Sequence, residues 1–132
     1  MNDGNEREAH ANIAIIRGVV HGDPTARDLP AGGTVVQFDV STRVRSVGSA
    51  GPGLTMSVPI AWNDPSAAQL GMIVPGADVT VVGTVRRRFF RVAGATQSRT
   101  EVVADVVAPT RQHKRVAVAL RQAADRILDI GA

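Results

Sequence analysis

Residues 34–45 constrain the fold more than any other stretch. Val36, Phe38, Val40 and Val44 stand at even positions, and Gln37, Asp39, Ser41, Arg43 and Arg45 at odd ones. Side chains along a strand point alternately to opposite faces, so this pattern specifies a strand with one buried and one wet face. A slip of one residue would bury the arginines and expose the valines, so the pairing register is strongly set.

Other segments read the same way. Residues 12–20 are apolar and β-branched, with Gly18 inside as a bend or bulge signal. His21-Gly22-Asp23-Pro24 signals a turn, and residues 25–33 a loop ending in Gly32-Gly33. Residues 46–53 read as a mobile loop; it is glycine-rich, but its spacing is not that of a phosphate cradle. Residues 54–62 form a third strand, in which Pro59 marks an edge or bulge. Asp64-Pro65 resembles a helix start, with Asp64 as N-cap and a short helix over residues 65–72. Residues 78–88 form a fourth strand, 91–98 a hairpin tip and 99–108 a fifth strand. Three strands, a short helix and two more strands fit a five-stranded Greek-key barrel, the OB-fold, though other small barrels share the pattern. From Pro109 a helical pattern follows, with Thr110 as its expected N-cap. The expected fold class is all-β with a C-terminal helix, divided into a flexible leader (1–11), a barrel domain (12–108) expected to be an OB-fold, and a helix (109–132).

The chain of 132 residues suits one domain, and 44 % apolar against 20 % charged residues favours a packed core over disorder. There is no cysteine, which excludes disulfides and thiolate metal sites. No apolar run approaches the roughly 20 residues that span a bilayer, and the polar start lacks a signal-peptide pattern. A cytoplasmic, nucleoid-associated location is expected. His10, His21 and His113 are scattered, and no zinc-protease, nucleophile-elbow or Walker motif occurs. No catalytic residue, metal, cofactor, membrane partner or small-molecule substrate is therefore expected. The net charge is only +3, but arginines cluster at Arg86, Arg87, Arg88 and Arg91 and again around Arg111 and Arg115. Arginine's planar fork suits phosphates and base stacking.

These segments resemble the bacterial single-stranded DNA-binding protein family. Residues 12–18 with Gly22-Asp23-Pro24 are similar to its first strand and turn, and Gly32-Gly33 ahead of residues 35–42 to its second-strand entry. Residues 79–88 with Arg86-Arg87-Arg88 resemble its fourth strand, and Arg99-Thr100-Glu101-Val102-Val103-Ala104-Asp105 its fifth. The resemblance spans residues 12–108. It implies single-stranded DNA as the partner, a place in DNA replication or repair, and homo-oligomers, tetramers in the usual case. Binding would rest on bases stacked against aromatic rings in a basic groove. Trp62 and Phe90 match aromatic positions of the family, whereas Met56 replaces a tryptophan and the Arg45-Ser46 region lacks an aromatic.

The expected nucleic-acid-binding residues are thus Arg43, Arg45, Met56, Trp62, Arg86, Arg88, Phe90, Arg91 and Arg99, on one continuous surface. Of the adjacent Phe89 and Phe90, which must face opposite sides of a strand, Phe90 is assigned to the wet side and Phe89 to the core. With aromatics at 3 %, affinity should be lower and more salt-dependent than the family norm. Recruitment of partners through the family's acidic tail is not expected, because residues 109–132 read as helical. Val116, Leu120, Ala123, Ile127 and Ile130 form a helical stripe over about two heptads, expected to bury itself against either the barrel or a partner helix, self-association being the simplest source. The competing reading is an OB-type interaction or assembly module with weak or lost DNA binding.

Overall fold

The computed structural model describes residues 10–45, 48 and 50–129. Among them the chain forms five strands and two helices: β1 (Ala14–Asp28), β2 (Thr34–Val44), β3 (Leu54–Asn63), α1 (Ala67–Leu70), β4 (Asp78–Val92), β5 (Ala95–Pro109) and α2 (His113–Leu128). The strands close into a barrel in the order β1-β2-β3-β5-β4, antiparallel except for the short parallel contact of β3 with β5 at Ile60↔Val102 and Ala61↔Val103. With the short helix between β3 and β4, this is the OB-fold. The expected leader lies largely outside the described residues, as do Ser46, Val47 and Ser49 of the expected mobile loop and Ile130 of the helical stripe.

The alternation in β2 does what its period demands: Val36, Phe38 and Val40 are buried, each at 4 % exposure or less. They meet Val20, Ile60, Trp62, Val79, Val81, Val102 and Val107 in the barrel core. β1 is longer than its sequence suggests. His21-Gly22-Asp23-Pro24 does not end the strand; it makes an irregularity between His21 and Thr25, after which pairing with β2 resumes to Asp28. The chain then reverses in a tight turn in which Leu29 and Gly33 are hydrogen-bonded. A second irregularity lies between Val82 and Gly83 of β4, where Val82 pairs with Val106 but Gly83 with Ala104, leaving Asp105 as an extra residue. A bulge of this kind shifts facing by one residue. Ala104 and Val107, three apart, therefore both enter the core.

Helix ends also differ from the sequence reading. Asp64 does not cap α1. Its backbone sits at φ 51°, and its carboxylate accepts from the Thr34 N–H at 2.8 Å, tying the end of β3 to the start of β2. Ser66 is the N-cap, in a reciprocal box with Gln69, so the helix is shorter than residues 65–72. At α2 the N-cap is Gln112, without a side-chain cap, while the Thr110 hydroxyl meets that of Thr80 at 2.9 Å. Helix α2 lies on the barrel through Ala119 and Ala123, packed against Val82, Val106 and Ile13. The expected stripe is thus rotated: Ala119 replaces Leu120 in the contact, and Leu120 (38 %) and Ile127 (56 %) remain exposed. At the seam between β1 and β4, Arg17 donates to both carboxylate oxygens of Asp78. That hydrogen bonding, with help from Thr110, holds the Asp78 carboxyl below the usual carboxylate range.

Candidate nucleic-acid interface

Two hairpins outgrow the barrel. β2 and β3 stay paired to Val44↔Leu54, and β4 and β5 to Val92↔Ala95, beyond the two positions at which β3 meets β5. The β4–β5 arm closes in a two-residue turn, Ala93-Gly94, both at positive φ. That is the geometry whose twist matches a right-twisted hairpin. Continuing the core-facing parity along each arm separates the expected site residues into two faces and an interior.

The outer face carries most of them. Arg86, Arg88 and Phe90 lie opposite Glu101, Arg99 and Gln97 in register, and directly opposed residues share a face. Arg43 lies on the outer side of β2, paired with Thr55, and Arg45 follows the end of that strand. Charges knit this face together. Arg99 on β5 reaches across β3 to Asp39 on β2, at 3.8 Å. Glu101 is 2 % exposed, which an unpaired carboxylate would not tolerate. Arg86 forms a hydrogen-bonded ion pair with it, and Arg88 Nε stands 3.6 Å from its second oxygen, an ion pair too long for a hydrogen bond. Arg88 in turn lies over the Phe90 ring, 5.3 Å from its centroid. Two arginines thus share one buried anion, so this cluster keeps a net positive charge.

Trp62 is not on this surface. It is 5 % exposed and packs edge-to-face on Phe38, with centroids 6.5 Å apart, so the expected stacking platform is instead a core residue. Its even position in β3 shares the parity of Val58 and Ile60, which face inward. Met56 has that same parity but lies beyond the core and is 48 % exposed. Arg91 faces away from Phe90 and donates to the Gly94 carbonyl at 2.6 Å. Met56 and Arg91 therefore sit on the inner face of the arms, and the expected single surface is divided.

Phe89 is the reverse correction. Its expected core position is on the inner parity, but the arm has left the core by then, and Phe89 is 64 % exposed beneath the Arg87 guanidinium at 5.4 Å. One sequence signal announced this: Arg87 stands at a core-parity position, where a strand still inside the barrel would carry an apolar residue. Glu101 was missed although it stands two residues from Arg99 and so shares its face; that parity was the signal, and its burial beneath Arg86 and Arg88 is visible only in the paired strands.

The fold and this arm-bearing face define the chain as an OB-fold barrel. Among solved structures it is similar to the Plasmodium falciparum SSB in complex with ssDNA, with a TM-score of 0.60 and 20 % sequence identity, over 78 % of this chain and 96 % of that one. No family model and no curated protein matches the sequence.

Proposed function

We propose that this chain binds single-stranded DNA along the outer face of β2, β3, β5 and β4, without catalysis, as a cytoplasmic protein of the SSB kind. The observation that carries the reading is the Glu101-tethered arginine pair, with Arg88 laid over Phe90. It supplies a cation for phosphate and an aromatic surface for bases in one rigid unit. Arg43, Arg45 and Arg99 extend the basic track. The likeness to an SSB solved with ssDNA supports the same reading. Base stacking on aromatics contributes about 1–3 kcal/mol per base, and phosphate contacts add the salt-dependent part.

The test is anisotropy of labelled oligo-dT across a salt series. Tryptophan quenching does not serve, because Trp62 is buried. The wild type should bind at low salt. Phe90→Ala should weaken binding about 5- to 150-fold, and Arg88→Ala should reduce the slope of log affinity against log salt by about 0.7. Absence of binding at low salt, or indifference to both substitutions, would overturn the proposal. A second reading, an assembly module, is favoured by the exposed Leu120, Ile127 and Leu128 beside Ile15. In it α2 joins copies of the chain through Val116, Leu120 and Ile127, whereas Ala123, also expected there, is buried on the barrel; loss of mass in light scattering on Leu120→Glu with Ile127→Glu checks it.

A further inference from the structure

We propose that the inner face of the two arms is a second stacking site for the same strand, centred on Phe89. The inference rests on the reading of the chain as a single-stranded DNA binder, and it assigns to that function a surface that the outer-face arginines do not reach. Phe89 is a large aromatic residue that stays 64 % exposed on a described, paired strand. One face of its ring carries the Arg87 guanidinium at 5.4 Å. Arg87 is itself held by a hydrogen bond to the Ser98 hydroxyl at 3.0 Å. A side chain fixed on both counts keeps the ring oriented, which lowers the entropy cost of receiving a base on the open face.

The surroundings select the occupant. On the neighbouring arm, Val44, Leu54 and Met56 share the inner parity and are 51 %, 69 % and 48 % exposed. An apolar patch alone would admit many partners. Here the inner parity of the β4–β5 arm adds Arg87 and Arg91, and no carboxylate occupies an inner-parity position on either arm among the described residues. Aromatic and aliphatic surface for π-faces, bordered by guanidinium groups for phosphates, suits an unpaired nucleic-acid strand. A duplex, whose base faces are stacked away, could not use it. The strand would contact the β4–β5 arm on both sides, with Phe90 and Arg88 outside and Phe89 and Arg87 inside.

The experiment compares wild type, Phe89→Ala and Phe90→Ala, with oligo-dT and with an abasic deoxyribose-phosphate oligomer of the same length. Phe89 is exposed, so the variant should melt like the wild type. Phe89→Ala should weaken oligo-dT binding about 5- to 150-fold while leaving the abasic oligomer unaffected. If Phe89→Ala binds oligo-dT like the wild type while Phe90→Ala is weakened, the second site is refuted and the outer-face reading stands. An equal loss for both oligomers would refute stacking at Phe89. If the wild type binds no oligo-dT at low salt, both proposals fall.

Discussion

Ala93 holds φ 50° at the first position of the β4–β5 turn, where a side chain meets its own backbone. Asparagine tolerates that conformation far better, and Asn-Gly is the preferred pair for such a turn. Ala93→Asn should therefore raise stability by about 1 kcal/mol, read as a higher denaturant midpoint with unchanged slope. Gly83 answers to a different constraint. A Cβ there would lie 2.2 Å from the Val103 carbonyl oxygen, so the bulged strands can approach only at a glycine. Of the aromatic residues, Phe38 was legible as core from alternation alone, because its neighbours at even positions are apolar. The parity of Phe89 and Phe90 was legible too. Their exposure was not, since nothing local says where a strand leaves the barrel.

At the scale of elements, the seam between β1 and β4 runs from Ala14↔Gly83 to Val19↔Asp78 and is braced at its end by Arg17 and Asp78. Because the Asp78 carboxyl is held below its unfolded value, chiefly by hydrogen bonding to Arg17, its contribution to stability is present above the unfolded pKa near 4. It is lost as pH falls through the lower folded value. The difference in melting temperature between wild type and Asp78→Asn should accordingly be present at neutral pH and shrink on acidification below about pH 4. A difference that persists unchanged to the lowest pH would contradict this role. The strand pattern in the sequence located all five strands, but it placed a hairpin tip over residues 91–98, where β4 and β5 in fact pair to Val92↔Ala95, and it missed the continuation of β1 past Pro24 and the bulge at Asp105. Both are events of pairing: an extra residue is visible only against the partner strand it fails to meet.

For the whole molecule, the barrel holds nearly all of the large apolar burial, whereas α2 is attached through two buried alanines and an exposed Arg126–Asp105 ion pair at 3.5 Å. Burial contributes about 25 cal/mol per Å² of apolar surface, so an alanine contact stabilises little, and an isolated helix of this length is marginal in water. Amide hydrogens of α2 should exchange well before those of β2, β4 and β5 in native-state hydrogen exchange. Protection in α2 matching that of the barrel would mean that the helix is held by more than Ala119, Ala123 and the exposed Arg126–Asp105 pair, which contributes little, and a second copy of the chain on Leu120 and Ile127 would supply the rest.

Local rules are enough for some of this protein. Period-two alternation and element order were enough for five strands, a short helix between the third and fourth and a longer helix after them, because strand facing acts over a few residues. The composition of the candidate interface was equally local: a basic run beside two phenylalanines. Which of those residues share a surface was decided only by the closed barrel. Closure sets where β3 and β5 part and the arms begin, and so whether an inward residue meets core, as Trp62 does, or solvent, as Met56 and Phe89 do. The burial of Glu101 beneath Arg86 and Arg88 likewise belongs to the paired strands. Such burial is a property of strand pairs and of sheet closure, both of which join residues far apart in the chain.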